Sequence, residues 1–93
     1  MKTVVIDGGM MFTREAAHDY LALRLDFPDY YGRNLDALYD LLSEYARPLR
    51  LVIYRRWELD AALGAYGTAL LETLTDAARG NPNLTLFFDG EDV

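Results

Sequence analysis

The chain has 93 residues, of which 15 are Asp or Glu and nine are Lys or Arg, so its formal net charge is −6. Apolar residues make up 52% of it, too many for a disordered acidic chain, and this length has room for one core. There is no cysteine, which excludes disulfides and thiolate metal sites. Phosphate binding needs clustered Lys and Arg, so the acidic balance disfavours direct binding of nucleic acid.

The pattern of apolar residues predicts neither a membrane span nor a signal peptide. The apolar runs are much shorter than the roughly 20 residues that a membrane span needs. The first such run, at 4–6 before Asp7, is too short for the core of a signal peptide. We therefore expect a single domain over 1–93, located in the cytoplasm and without contact with a membrane. The lack of cysteine agrees with that compartment.

Turn and cap residues divide the first third of the chain into a strand, a helix and a loop. β-branched and apolar residues predict a buried strand over 2–6, which the turn sequence of 7–9 ends. Thr13 is a suitable N-cap for an amphipathic helix over 14–25. A loop follows over 29–32.

The rest of the chain continues this alternation. Asn34 is a suitable N-cap for a second helix over 35–45, and Pro48 closes that segment. The later predicted elements are, in chain order, a strand over 49–54, a helix over 57–63, a helix over 68–79, a strand over 84–88 and a solvated tail over 89–93. Apolar strands separated by helical crossovers predict an α/β fold, a small parallel sheet with helices packed against it.

One helix carries an acidic row. Asp36, Asp40 and Glu44 follow at i, i+4 and i+8, which places three negative charges along one face of the helix over 35–45. Like charges at this spacing cost about 0.2–0.5 kcal/mol per pair, and no neighbour of Asp40 on that helix is basic. The row is either a solvated face or a docking surface for cations.

Tyrosines surround the same helix. Tyrosine has a large apolar face and a polar tip and is common in interface hot spots. Four of the seven tyrosines lie within 30–45, namely Tyr30, Tyr31, Tyr39 and Tyr45. We expect Tyr31 and Tyr45 to contribute to the core more than the other two do. The tyrosines favour the interpretation of the acidic row as a binding surface.

The stretch over 27–42, with the sequence FPDYYGRNLDALYDLL, resembles the signature of the barstar family. In that family, P-acid-Y-Y-G-x-N-L-D-A-L-aromatic-D makes up a loop and the inhibitory helix. The resemblance implies a barstar-like three-stranded parallel sheet flanked by helices. It also implies inhibition of small secreted guanyl-specific ribonucleases, achieved by inserting the loop and the helix into the basic active site of the enzyme.

The resemblance assigns partner-binding roles by position. Asp40 is similar to the family aspartate that occupies the place of a substrate phosphate, and Asp36 to its second acidic contact. Tyr30 is similar to the loop tyrosine that stacks on the catalytic region of the ribonuclease. Tyr39 stands where the best-known member has tryptophan. Between Asp40 and Pro48 the chain is one residue shorter than the family pattern. The remaining residues that the resemblance assigns to the interface are Ser43, Glu44, Tyr45 and Asp76.

Other functions have weaker support in the sequence. His18 is the single histidine, and we interpret it as a surface or half-buried structural residue, so no catalytic residue is predicted. Two carboxylates on one helix turn, without a third positioned ligand, make a poor Mg²⁺ site, and neither a metal nor another cofactor is predicted. Arg55 and Arg56 are interpreted as the cap of a strand end, not as an RNA contact.

We therefore expect an inhibitor of a basic, barnase-like ribonuclease. One alternative stays open, in which the same scaffold binds a different basic protein or toxin. Only Tyr39 and the shortened segment over 40–48 distinguish the two possibilities in the sequence.

Overall fold

A computed structural model describes residues 1–89 of the chain. Its elements are, in chain order, β1 (Lys2–Asp7), α1 (Arg14–Leu25), α2 (Leu35–Ser43), β2 (Leu49–Tyr54), α3 (Arg56–Leu63), α4 (Ala65–Gly80) and β3 (Leu84–Asp89). The predicted alternation of strands and helices is confirmed. A short 3-10 helix, Gly8–Met10, lies where the sequence predicts a turn after β1.

The three strands form one parallel sheet in the order β1-β2-β3. This confirms the predicted α/β fold. Alternate side chains of the strands are buried against the helices, namely Val4, Ile6, Leu49, Leu51, Ile53 and Leu84. Val5, Val52 and Phe87 lie side by side in the intervening positions, and Val5 and Phe87 are exposed. The helices therefore cover mainly one face of the sheet.

Helix α2 is held by its apolar side. Leu38 and Leu42 are fully buried, and the helix packs against α4. Full burial of one leucine side chain is worth about 1.5–3 kcal/mol. This exceeds the few tenths of a kcal/mol that like charges at i and i+4 cost on the opposite face. The core therefore fixes α2 in a position that leaves its acidic side outward.

The structure corrects the predicted end of α2. The helix ends at Ser43 and not at residue 45, because Glu44 leaves the helical conformation, with φ −96° and ψ 1°. The amide of the buried Asn81 donates to the carbonyl oxygens of Leu42, at 2.8 Å, and Tyr45, at 3.0 Å. A side chain at the end of α4 thus donates to carbonyl oxygens in the last turn of α2 and just after it.

The start of α4 also differs from the prediction. It begins at Ala65 and not at residue 68, because Gly64 alone separates it from α3. Gly64 has φ 55° and ψ −126°, a conformation that favours glycine, so the chain reverses there without a longer loop. Asp89, predicted in the tail, belongs to β3. The rest of the predicted tail, 90–93, lies outside the described residues.

Candidate functional site

The loop over 26–34, which joins α1 to α2, has a defined backbone path. Asp26 ends α1 in the left-handed conformation, with φ 56°. The amide of Tyr31 donates to the carbonyl of Pro28 at 3.0 Å and closes a turn. Arg33, at the far end, is again left-handed, with φ 55°. We call this segment the 26–34 loop.

Asn34 fixes the entry of the 26–34 loop into α2. Its side-chain oxygen accepts a hydrogen bond from the amide of Ala37 at 2.7 Å, and its amide group donates to the carbonyl of Gly32 at 3.3 Å. The predicted N-cap is therefore confirmed. Asp36 lies in the first turn of the helix, where the N-terminal end of the helix dipole favours a negative charge.

The acidic row of α2 lies at the surface. Asp36 and Asp40 are exposed on the helix, and Glu44 is exposed directly after its last residue. Within residues 1–89, none of the three carboxylates forms an ion pair. The only arginine of the 26–34 loop, Arg33, pairs with Asp19 on α1. Its charge is thus taken up by α1, and the row keeps its negative charge.

The tyrosines around α2 divide into exposed and packed side chains. Tyr30 is 82% exposed and Tyr39 41% exposed. Tyr31 is buried, and Tyr45 is half-buried against the core. This is the division expected from the sequence. Asp40, Tyr39 and Tyr30 are therefore available at the surface, and their contacts with a partner stay a prediction.

The structure corrects the interpretation of His18. This side chain is buried, with 2% exposure, and does not lie at the surface or half-buried. Its Nδ1 lies 2.6 Å from the hydroxyl oxygen of Tyr31, and its Nε2 lies 2.6 Å from that of Tyr66 on α4. Burial lowers the pKa of His18, and the positive charge of Arg33 lowers it further. The residue is structural, as expected, but its place in the core was not predicted.

The remaining candidates for partner binding lie in different parts of the surface. Ser43 and Glu44 are exposed at the end of α2. Glu44 and Tyr45 line an open cleft beside Leu41. Asp76 lies in a groove whose lining comes from α3, α4 and β3, and it pairs with Arg79 at 3.3 Å. Unlike the carboxylates of the acidic row, Asp76 therefore has a cationic partner within the chain.

Of the basic pair after β2, Arg55 caps a strand end, as expected, whereas Arg56 is the first residue of α3 and pairs with Asp60 of that helix. Arg55, in the left-handed conformation, donates from Nε and Nη2 to the two carboxylate oxygens of Asp7, at 3.0 and 2.9 Å. The hydrogen bond from Arg55 holds the pKa of Asp7 below its usual value. Arg55 is therefore part of the link between the ends of β1 and β2.

The surface of α2 and the 26–34 loop combines carboxylates with exposed aromatic side chains. No group of three or more potential ligands for a metal ion occurs among the residues that the structure describes. Over the same residues, no helix is long and apolar enough to cross a membrane. A rigid helix with uncompensated carboxylates beside exposed tyrosines is suited to a cationic protein surface. Fold and surface together define a small α/β protein with an exposed acidic row at one helix.

Comparison with known proteins identifies the family. The sequence model of the Barstar family, described as "Barstar (barnase inhibitor)", matches residues 1–88. A Bacillus subtilis (strain 168) protein named "Putative ribonuclease inhibitor YrdF" is 44% identical over 78 residues, which are 83% of this chain and 86% of that protein. The chain therefore belongs to the barstar family. Membership in an inhibitor family supports a role as a ribonuclease inhibitor and confirms the expectation that the protein is not an enzyme.

The sequence did not reveal that three residues support the site. His18 and Asp19 are neighbours on α1, and each holds a different residue of the 26–34 loop. Asn81 holds the end of α2 from α4. Sequence separations of 13 and more between the partners give no local pattern that would reveal these contacts.

Proposed function

We propose that the protein inhibits a barnase-like, guanyl-specific ribonuclease by inserting α2 and the 26–34 loop into its cationic active site. The observation that carries the proposal is the acidic row, since Asp36 and Asp40 are exposed on a rigid helix without an ion pair in residues 1–89. Membership in the barstar family supports the class of partner.

Asp40 has the central role in this proposal. A ribonuclease site is cationic because it binds phosphate, and a carboxylate can occupy the place of that phosphate. An arginine of the enzyme can donate two parallel hydrogen bonds to one carboxylate. Asp36, one helical turn earlier, provides the second negative charge. Both act on the face of α2 opposite the buried Leu38 and Leu42.

Tyrosines complete the proposed interface. Tyr30, at the tip of the 26–34 loop, has most of its ring surface available for stacking on the enzyme, and Tyr39 lies between the two aspartates in sequence. Ser43, Glu44 and Tyr45 would form the outer edge. Asp76 stays a prediction, because contact with the ribonuclease would compete with its ion pair to Arg79.

Charge determines the kinetics that we expect. Attraction between an acidic helix and a basic active site raises the association rate constant, and salt screens that attraction. Close charge pairs of this kind couple by about 1.5–7 kcal/mol, a range obtained on the barnase–barstar complex itself, which therefore describes the family and not this chain. Location in the cytoplasm, where such an inhibitor would protect the cell that makes the ribonuclease, is part of the proposal.

The test is inhibition of a panel of guanyl-specific ribonucleases by the purified protein, with the association rate measured at increasing salt. We expect inhibition and a rate that falls steeply as salt rises. Asp36→Asn combined with Asp40→Asn should flatten this dependence. Failure to inhibit any enzyme of the panel would contradict the proposal. Capture of a different basic protein from the lysate or secretions of the source would then favour the alternative partner.

A further inference from the structure

A buried hydrogen-bonded network connects the 26–34 loop to the core. His18 of α1 lies at its centre, with Tyr31 of the loop on one ring nitrogen and Tyr66 of α4 on the other, both at 2.6 Å. The rings of His18 and Tyr31 lie 5.7 Å apart, and that of Phe27 packs on Tyr31 at 4.8 Å. One side chain thus joins three parts of the fold.

The donors and acceptors of this network match when His18 is neutral. A neutral imidazole has one N–H donor and one acceptor nitrogen, so one tyrosine accepts from His18 and the other donates to it. Burial raises the pKa of Tyr31 and of Tyr66, and both hydroxyls stay protonated. Neutral His18 therefore satisfies both contacts. A protonated ring would be a donor on both sides, and the tyrosine that had donated to it would lose its acceptor.

Adjacent tyrosines in the loop point in opposite directions. Tyr31 is buried and bound to His18, whereas Tyr30 is the most exposed of the large aromatic side chains in the described chain. The amide of Tyr31 also closes the turn with Pro28. Any movement of Tyr31 therefore moves Tyr30 with it, since one peptide unit separates their Cα atoms.

We propose that His18 is a positioning residue for partner binding, because its contact with Tyr31 holds the 26–34 loop in the conformation that presents Tyr30. The proposal rests on the proposed function in that it takes the loop to be part of the interface. Loss of the contact would leave the acidic row unchanged but allow the loop more conformations. The free energy needed to order that loop on binding would then weaken the complex.

The surroundings of His18 are consistent with this role. The charged groups that line an open cleft beside it are Arg14, Glu15 and Asp19 of α1 and Arg33 of the loop. Asp19 pairs with Arg33, and Arg14 lies over the ring of Tyr66, 4.3 Å from its centre. No carboxylate hydrogen-bonds to the imidazole within residues 1–89, so the tyrosines alone orient it.

The experiment compares two removals of a single hydroxyl, Tyr31→Phe and Tyr20→Phe. Both tyrosines bond to the core through their hydroxyl, but that of Tyr20 accepts from the amide of Asp7 on β1, at 2.9 Å, away from the loop. Dissociation from a barnase-like ribonuclease is measured for each folded variant. Hydrogen exchange of the loop amides is measured on the free protein.

We expect Tyr31→Phe to raise the dissociation rate constant roughly 3- to 10-fold, the effect of one hydrogen bond, with an unchanged association rate because no charge is altered. Loop amides should exchange faster, while those of α4 do not change. Tyr20→Phe should lower stability without either effect. His18→Gln, which keeps a donor and an acceptor, should bind more tightly than His18→Leu.

Equal behaviour of Tyr31→Phe and Tyr20→Phe in loop exchange and in dissociation would overturn the inference. The exchange measurement needs no partner, so it tests whether the contact between His18 and Tyr31 orders the loop even when the wild-type protein inhibits no ribonuclease. A wild-type protein that inhibits, together with a Tyr31→Phe variant that changes neither quantity, would contradict the inference and leave the proposed function intact.

Discussion

Two groups of acidic residues differ in whether the protein neutralises them. Aspartates spread over the fold form ion pairs with arginines, namely Asp7 with Arg55, Asp19 with Arg33, Asp60 with Arg56 and Asp76 with Arg79. In the acidic row of α2, and at Asp26 and Asp29 in the loop before it, no ion pair occurs within the described part of the chain.

The difference changes what each group of charges can offer to another molecule. A paired carboxylate has its cation within the fold and has little left to offer a partner. The row instead retains a local excess of negative charge, and its cost to α2 is offset by the buried leucines of the same helix. Single glutamates without an ion pair in residues 1–89, such as Glu15 and Glu72, also occur elsewhere. The distinguishing feature is therefore the concentration of such charges beside exposed tyrosines.

The largest effect is expected from removing a carboxylate of the acidic row. Removal of a paired carboxylate elsewhere is the control. Asp40→Ala should weaken binding to the ribonuclease by about 2–5 kcal/mol, because it leaves a cation of the enzyme buried without its partner. Asp60→Ala, which breaks the pair with Arg56 on α3, should change binding by less than about 0.5 kcal/mol. Titration calorimetry or inhibition kinetics measures both. Equal losses would show that the row has no special role.

A smaller effect is expected from the exposed aromatic side chains. Tyr30→Ala should weaken binding by about 1–2 kcal/mol and leave the thermal midpoint nearly unchanged, because the side chain is mostly exposed in the free protein. Trp57→Ala on α3, also an exposed aromatic side chain, is the matched control and should leave binding unchanged. The same inhibition assay compares the two. If Trp57→Ala weakens binding as much, the binding surface includes α3.

The buried network should make the stability of the protein depend on pH. Because His18 has a lowered pKa in the folded state, the unfolded chain binds more protons once the pH falls below about 6.5. The free energy of unfolding should therefore fall as the pH drops from about 6.5 through the pKa of the folded state. Urea unfolding at about pH 7.5 and about pH 5.5 measures this, and the contribution should be absent in His18→Gln. An equal loss in that variant would assign it to another group.

The smallest effect concerns Arg33, the arginine of the 26–34 loop. Asp19→Asn leaves Arg33 without its partner and adds an uncompensated positive charge beside the acidic surface. We expect the association rate to fall about twofold at low salt and to recover as salt rises, since the interaction is exposed and screened. Asp60→Asn removes the same charge from α3 and is the control for net charge. Stopped-flow mixing measures the association rates of both variants. Identical rates would show that Arg33 does not affect association.

The elements of the fold were largely predictable because their signals are local. The N-caps at Thr13 and Asn34 are confirmed by hydrogen bonds to the amides of Ala16 and Ala37. The last residue of α2 and the first residue of α4 were not predicted, since contacts of Asn81 and the reversal at Gly64 decide them. The shared face of Asp36 and Asp40 was also predictable from a local signal, because residues four apart lie on one side of a helix.

The sequence by itself determined the parallel α/β fold, the acidic row, the concentration of tyrosines beside it and the resemblance to the barstar family. Only the tertiary structure decided which charges are neutralised and which tyrosine supports the other. Arg33 lies three residues before Asp36 but pairs with Asp19. Tyr31 contacts His18, while Tyr30 is left exposed. These contacts join residues 13 or more positions apart in the chain, and packing of the loop against α1 brings them together.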